Sequence, residues 1–255
     1  SVAVSPDGSI VAIAIENERD EELNDGEIPQ MPAGDLVIIS LNDGVADCAT
    51  IKHVAMTGFS EMVAPTDPEP EFVDINDDNE IVLTLQENNG IAIIDGNTGE
   101  VKNHFSAGTV DISGVDIEKD GKLDFTGSLS GIAREPDTVK WLDNDRFAIA
   151  NEGDYKGGSR GFSIFSDAGE LLYDSGSSFE RAVASIGHFP DKRADKKGVE
   201  PEGMIKGTFG DTNYLFVLSE RGSVVGVYDD SAADAPELVQ LLPSGLSPES
   251  GVAIP

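Results

Sequence analysis

Residues 196–228 read KKGVEPEGMIKGTFGDTNYLFVLSERGSVVGVY, and this stretch decides the fold prediction. An extended run opens at Pro201 and ends in a Gly-Asp-Thr-Asn turn; apolar segments 214–218 and 223–228 follow, separated by the turn Ser-Glu-Arg-Gly. Apolar runs of this length between short turns rich in Gly, Asn and Asp are typical of strands joined by hairpins. The stretch therefore predicts three consecutive antiparallel strands.

The same unit recurs at four other places along the chain. Copies open at residues 2, 70, 136 and 248, and an acidic residue closes the second strand at 16, 87, 152 and 220, at intervals of 71, 65 and 68 residues. A short fourth strand is predicted after each third strand, at 50–56, 101–105, 171–174 and 238–242. Four antiparallel strands in a repeating unit predict an all-β fold, a β-propeller of four-stranded antiparallel blades.

The repeat also predicts the domain organisation, a single β-propeller region. The predicted blades occupy approximately 1–60, 67–107, 135–188 and 200–243, and the first strand of a further blade occupies 248–255. The chain opens inside a strand, shows no signal peptide and stops within the fifth unit. We therefore expect a processed piece of a longer secreted protein, a fragment of a larger propeller whose remaining blades are missing.

The charge of the chain limits its partners. It has 48 acidic and 17 basic residues, which gives a net charge of −31. Such a surface repels nucleic acid and anionic membranes and attracts cations, and it suits either a marine or saline exterior or simply a well-solvated surface. No run reaches 18 apolar residues, so no membrane span is predicted, and the single Cys48 excludes an internal disulfide.

A calcium-loop pattern occupies residues 116–124, between the second and third predicted blades. Asp116, Glu118, Asp120 and Asp124 are its acidic residues, and a glycine follows the third of them. In calcium loops, carboxylates at positions 1, 3 and 5 converge because glycine at position 6 allows a sharp bend. Position 12 here is a second glycine, so the closing carboxylate is missing. The pattern predicts either a calcium site at these four residues or a plain hairpin turn.

Five segments together resemble a known family. They are PEPEFVDI at 68–75, LQENNGIAIID at 85–95, REPDTVKWLDNDRFAIANEGDYKGGSRGFSIF at 134–165, DKKGVEPEGM at 195–204 and YLFVLSERGSVVGVYD at 214–229. In order and spacing the chain resembles the bacterial choice-of-anchor I β-propeller proteins, which are often labelled alkaline-phosphatase-like or phytase/esterase-like. The resemblance implies a secreted, periplasmic or cell-surface bacterial protein, and family members are usually longer than this chain.

Strand direction predicts a ring of carboxylates. Because the second strand of a blade runs antiparallel to the first, the start of the first strand and the end of the second lie at the same face. The paired residues are Glu71 with Glu87, Asp137 with Glu152 and Glu202 with Glu220, and Glu16 and Glu249 occupy equivalent positions. We expect these carboxylates at one mouth of the channel. Alternatively, each accepts backbone N–H groups of the adjoining turn and has no ligand.

Basic residues lie beside the same motifs in the sequence. Arg134, Lys196 and Lys197 precede the acidic openings of blades three and four, while Arg221 follows Glu220 and Arg160 lies in the loop after Glu152. Like charges a few ångströms apart do not all stay ionised cheaply, so a carboxylate ring requires cations, protons or basic side chains. These five residues are expected to provide part of the compensation and to bind a small anionic or phosphorylated ligand.

Two functions remain open from the sequence. One is a calcium-dependent phosphoester hydrolase, in which Glu71, Glu87, Asp137 and Glu152 hold metal, Glu202 and Glu220 are catalytic and Arg221 clamps phosphate. The other is a non-catalytic extracellular or cell-surface propeller that binds ligands or mediates adhesion. No Ser-His-Asp arrangement is evident, and loop acids such as Glu21 and Glu22 are expected to matter less than the strand-end residues.

Overall fold

A computed structural model of the protein describes residues 1–232 and 235–254. Within them the chain forms antiparallel β-sheets. Blade one contains β1 Val2–Val4, β2 Ile10–Ile15, β3 Asp35–Asn42, β4 Val45–Ala46 and β5 Lys52–Ala55. Blade two contains β6 Pro70–Ile75, β7 Glu80–Leu85, β8 Gly90–Asp95 and β9 Val101–Ser106.

The second half of the chain repeats this organisation. An inserted hairpin contains β10 Thr109–Val115 and β11 Gly127–Ala133. Blade three contains β12 Val139–Trp141, β13 Arg146–Ala150, β14 Phe162–Ser166 and β15 Leu171–Asp174. Blade four contains β16 Pro201–Phe209, β17 Thr212–Ser219, β18 Val224–Asp229 and β19 Glu237–Pro243. The helices are α1 Ser178–Ser185 and the 3₁₀ turns Leu23–Gly26, Cys48–Thr50 and Asp191–Arg193.

The strand order within each blade confirms the predicted fold class. In blades two, three and four the strands pair antiparallel in chain order, and in blade one β1, β2 and β3 do the same, with both β4 and β5 paired to β3. The first strands β1, β6, β12 and β16 contact one another in that order. Blades that meet through their first strands around an axis are the arrangement of a β-propeller.

The last described residues lie along blade four without forming a regular strand. A Cβ atom on Gly203 in β16 would fall 2.3 Å from the carbonyl oxygen of Glu249, so the close approach requires glycine there. A cavity of about 330 Å³ separates segment 249–253 from β1. The predicted fifth unit is thus extended and adjacent to β16, and Pro255, its final residue, lies outside the described part of the chain.

The core consists of layers between neighbouring blades. In β7, Ile81 and Leu83 pack toward blade one, whereas Val82 packs toward Trp141 and Phe147 of blade three. Side chains of a strand alternate between the two faces of its sheet, so a sheet covered on both faces needs apolar residues at successive positions. Blade two lies between two other blades, which explains why Ile, Val and Leu occupy successive positions in its strands.

The inserted hairpin and α1 had no counterpart in the sequence-based prediction. The hairpin of β10 and β11 fills the gap between blades two and three, and α1 lies between blades three and four. Phe179 and Val183, one helical turn apart, bury the inner face of α1. In the described residues, no helix is long and apolar enough to cross a membrane.

Candidate functional site

The strand pairing brings the acidic motifs to one face. Pro70 at the start of β6 pairs with Leu85 at the end of β7, and Pro201 at the start of β16 pairs with Ser219 at the end of β17. The acidic residue of each motif lies one or two positions further along the chain. The start of the first strand and the end of the second therefore present their carboxylates at the same end of the blade, as the sequence predicted.

These residues enclose a cavity of about 340 Å³, which we call the mouth. Its walls contain Glu16, Glu18, Arg19, Glu21, Glu71, Gln86, Glu87, Asp137, Glu152, Asp154 and Glu202. Nine of these eleven side chains are carboxylates, and only one is basic. The mouth therefore has a strongly negative potential, and a cation is the ligand that this potential favours.

Asp137 lies where the carboxylates converge. Its exposed fraction is 8%. Burial raises the pKa of Asp137 well above its usual range, and the charges of Glu71, Glu152 and Glu202 raise it further. Carboxylates from blades two, three and four thus act on one residue, and the pKa shift follows from their mutual repulsion in a desolvated site.

Other mouth residues share this perturbation. Burial raises the pKa of Glu71 to about 8, that of Glu87 to about 9 and that of Glu202 to about 8. The negative charge of Glu249 also raises the pKa of Glu202. Glu249 therefore lies near the carboxylate ring, as predicted. At neutral pH, and without a bound cation, part of the ring is therefore protonated.

Among the residues that the structure describes, two groups of three carboxylates are compact enough to hold a metal ion. They are Glu152, Glu202 and Glu220, which we call the mouth triad, and Glu16, Glu69 and Glu87. In each group the ligand oxygens lie within 4.8 Å of one another. Calcium binds oxygen at about 2.3–2.6 Å, so opposite ligands of one ion are about 4.6–5.2 Å apart. Both groups fit an ion of this size and hardness.

Polar neighbours hold the mouth triad in place. Nε2 of Gln86 donates a hydrogen bond to Oε2 of Glu152 at 2.8 Å, and Nζ of Lys197 lies 3.6 Å from Oε1 of the same residue. Nη1 of Arg221 lies 2.7 Å from Oε1 of Glu220. The triad therefore has two basic side chains at its edge, and both were among the predicted ligand-binding or catalytic residues.

Arg134 and Arg160, also predicted to bind a ligand, lie inside the protein and not at the mouth. Their exposed fractions are 4% and 1%. Arg134 pairs with Asp174 at 2.8 Å and donates to the carbonyl oxygen of Ala107, also at 2.8 Å. Its guanidinium thus joins the inserted hairpin to blade three.

The guanidinium of Arg160 is bound mainly by main-chain carbonyls. It donates to those of Asp116 and Ala194, both at 2.7 Å, and of Lys196 at 2.8 Å, and it lies 3.4 Å from a carboxylate oxygen of Glu180. The Lys196 side chain is exposed. These contacts connect α1 with the segment before blade four and lie apart from the residues that line the mouth.

The predicted calcium loop at 116–124 is closed by hydrogen bonds of its own. The Asp116 carboxylate accepts the backbone N–H groups of Glu118 and Asp124, both at 3.1 Å, and Asp120 pairs with Lys122. Glu118, Asp120 and Asp124 are exposed around a cavity of about 130 Å³. In the described part of the chain, these acids do not form a group of three within ion-sharing distance. Calcium at this loop stays a prediction.

The sequence did not indicate the contribution of the loop 17–34, which connects β2 with β3. Arg19 is buried, and its Nη2 lies 2.6 Å from Oδ2 of Asp154 in the loop that follows β13. Glu27 pairs with Lys156 at 3.0 Å. The loop therefore crosses the mouth from blade one to blade three, and it brings Glu21 into the cavity wall.

The family model described as the choice-of-anchor I domain matches residues 1–157 and 155–233. No curated protein matches the chain.

Among solved structures, a functionally unknown protein from Desulfotomaculum acetoxidans DSM 771 is 11% identical, with a TM-score of 0.49; the match covers 98% of this chain and 57% of that one. A catalytically inactive virginiamycin B lyase from Staphylococcus aureus, with quinupristin, is 14% identical over 98% of this chain and 72% of that one, with a TM-score of 0.49. The β-propeller domain of Cps50 (Swd1) from Myceliophteria thermophila is 10% identical, with coverages of 99% and 75% and a TM-score of 0.48. Similarities of this size carry no functional argument.

Proposed function

This chain belongs to the choice-of-anchor I domain family of cell-surface or extracellular proteins, and from that premise we propose that it is a propeller module that binds calcium-type divalent cations at its mouth. The observation that carries the proposal is the cavity wall, with nine carboxylates and one guanidinium. Because these carboxylates are partly buried and repel one another, they raise the free energy of the folded state when no cation is bound. A divalent cation removes the repulsion, and its binding supplies the compensating free energy.

The donor set decides which cation fits. The mouth triad offers carboxylate oxygens, and none of its members is a histidine or a cysteine. Oxygen-only sites favour hard cations such as calcium, magnesium and manganese over zinc or copper. The triad comes from two blades, because Glu152 follows β13 while Glu202 and Glu220 belong to blade four. An ion there would connect the two blades.

Calorimetric titration with calcium tests this proposal. The protein should release or take up heat on calcium addition and gain thermal stability, since a ligand that binds only the folded state stabilises that state. Glu202→Gln should weaken binding, whereas Glu22→Gln, at an exposed residue outside the cavity wall, should not. Absence of both heat and thermal shift at millimolar calcium would exclude the proposed function.

A second candidate is a calcium-dependent phosphoester hydrolase acting on a small phosphorylated ligand. The positions of Arg221 and Lys197 at the edge of the mouth triad support it. A bound calcium ion would supply charge neutralisation of phosphoryl oxygens. In this candidate Glu71, Glu87, Asp137 and Glu152 would hold the calcium ion, and Glu202 would act as general base or acid and not as a calcium ligand. Arg221 would hold the phosphate beside it.

Phosphatase turnover separates the two candidates. With calcium present, Glu202→Gln, Glu220→Gln and Arg221→Ala should each lose activity, and Glu22→Gln should keep it. Arg221→Ala should weaken phosphate binding by about 1.5–3 kcal/mol, and Arg221→Lys should restore little because lysine lacks the planar fork. If the unmutated protein shows no phosphatase turnover, cation binding by a non-catalytic propeller module is the function that remains.

A further inference from the structure

The tripeptide Glu-Pro-acid opens three blades and places a buried glutamate before each proline. It occurs at 69–71, 135–137 and 200–202. The exposed fractions of Glu69, Glu135 and Glu200 are 0%, 2% and 0%. An ionised carboxylate removed from water is stable only when hydrogen bonds or an opposite charge compensate it. Each of these glutamates therefore needs a partner.

Blade three supplies the partner from its backbone. The carboxylate of Glu135 accepts three successive N–H groups, those of Asp154, Tyr155 and Lys156, at 2.9, 2.8 and 2.9 Å. Three backbone donors are enough to stabilise one buried carboxylate. This glutamate is thus fully compensated without a ligand.

Blade four supplies the partner from its side chains. The Glu200 carboxylate accepts from Nε of Arg193 at 2.6 Å and from Nε of Arg221 at 2.9 Å, one guanidinium on each oxygen. Two positive charges thus compensate the buried negative charge in this copy of the motif. The equivalent glutamates of blades three and four are therefore both satisfied within the protein.

Blade two provides no such partner. In the described part of the chain, no donor meets full hydrogen-bond geometry at either carboxylate oxygen of Glu69, although the backbone N–H of Arg19 lies close enough to lower its pKa, and Oε2 of Glu87 has no partner. Both residues are buried, with exposed fractions of 0% and 3%. Their oxygens lie within 4.8 Å of each other and of an oxygen of Glu16. Burial and the charge of Asp67 raise the pKa of Glu69 to about 7, and the nearby Arg19 offsets this only in part.

We propose that Glu69, Glu87 and Glu16 form a second site for a divalent cation of the calcium type, separate from the mouth triad. The ion takes the place that Arg193 and Arg221 occupy beside Glu200 in blade four. Glu16 is exposed and lines the mouth, so the ion reaches the two buried ligands from the cavity. Because Glu16 follows β2 of blade one, the ion also joins blades one and two.

A protonated Glu69 without metal is the competing explanation. A proton neutralises the same charge, and glutamine is a close neutral replacement for a protonated glutamate. The two explanations differ in what Glu69→Gln does. Under the proton explanation the variant binds as much calcium as the unmutated chain, whereas under the metal explanation it loses one site.

The experiment is calcium calorimetry on the full chain, combined with thermal unfolding in calcium and in chelator. The unmutated chain should bind calcium at two sites, and Glu69→Gln should retain one. Glu16→Gln, at an exposed position, should lose the same site and covers the case in which Glu69→Gln does not fold. Glu22→Gln is the control and should keep both sites.

The outcomes separate this site from the mouth triad. If Glu202→Gln loses one site while Glu69→Gln and Glu16→Gln lose none, the proposed second site does not exist and the proposed function stands. If Glu69→Gln and Glu16→Gln lose a site while Glu202→Gln loses none, the second site is supported and the triad is not. If both Glu69→Gln and Glu16→Gln bind as much calcium as the unmutated chain, a proton and not a metal ion neutralises Glu69, and the proposal is overturned.

Discussion

Gln86 donates a side-chain hydrogen bond to Glu152 across the boundary between blades two and three, with Nε2 2.8 Å from Oε2. Gln86 is buried and directly precedes Glu87, a ligand of the proposed second site. The residues after β7 therefore serve both groups of carboxylates. Glu87 contributes a carboxylate to the proposed second site, and Gln86 donates the hydrogen bond that orients Glu152 of the mouth triad. Burial raises the pKa of Glu152, whereas the charge of Lys197 and this hydrogen bond favour its ionised form.

We expect Gln86→Leu to weaken calcium binding at the mouth triad about 10-fold or more, because losing a partner that orients a metal ligand typically costs 10- to 100-fold in affinity. The measurement is calcium affinity by calorimetry. Asn103→Leu is the control, since Asn103 also donates a side-chain hydrogen bond, at 3.0 Å to the carbonyl of Asp167, but lies on the outer strand β9. Equal affinities in the two variants would contradict an orienting role for Gln86.

The stability of the calcium-free protein should fall as pH rises from about 4.5 to about 9. Burial raises the pKa values of Glu71, Glu87 and Glu202 from 4.5 to about 8, 9 and 8. Between these limits the folded state retains protons that the unfolded state has lost, so deprotonation favours unfolding. Melting temperatures in chelator over this pH range measure the effect.

Calcium should reverse this decline at the alkaline end, because the cation replaces the protons that neutralised the ring. Glu202→Gln should make the pH dependence shallower, since one of the perturbed carboxyl groups is gone. A melting temperature that rises steadily with pH in chelator would show that the ring carboxylates are not protonated in the folded protein.

Arg160→Ala should destabilise the protein by about 3–5 kcal/mol, the range for removing one partner of a buried ion pair. The change leaves Glu180, with an exposed fraction of 0%, without its guanidinium and frees three carbonyl groups. Urea unfolding measures the loss, with the exposed Arg181→Ala as the matched control. A stable Arg160→Ala protein with weaker phosphate binding would instead support the ligand-binding role predicted from the sequence.

The loop at 116–124 permits a direct test of its predicted calcium site. If the loop is only a hydrogen-bonded turn, Asp116→Ala should lower stability by about 1–3 kcal/mol equally with calcium and with chelator, because two backbone N–H groups lose their acceptor. Asp120→Ala, at an exposed position, should change little. A loss seen with calcium but not with chelator would indicate a bound ion.

The blades and the ring were predictable because both follow from periodicity. Strand alternation and the spacing of the acidic strand ends determine which residues share a face, and the resulting prediction placed Glu71, Asp137 and Glu202 correctly at one mouth. Side-chain direction outside the strands was not predictable. Arg134 precedes a mouth motif directly, yet its guanidinium extends to Asp174, forty residues away in the sequence.

Long-range contacts explain what else was missed. Arg19 joins Asp154 across 135 residues, and no local pattern indicates that the loop 17–34 crosses the mouth. The importance of Glu69 was visible in the sequence only as the first residue of the Glu-Pro-acid repeat. The repeat itself does not reveal that the copies in blades three and four have internal partners while the copy in blade two has none, because those partners lie outside the repeated motif, in segments whose path the repeat does not determine.

The most direct test of a cation-binding mouth is an anomalous-scattering map from crystals grown with calcium or terbium. We predict a peak about 2.3–2.6 Å from carboxylate oxygens of Glu152, Glu202 and Glu220. A well-resolved map at millimolar metal with no peak at these residues, and with the carboxyl groups hydrogen-bonded to one another, would contradict the central claim.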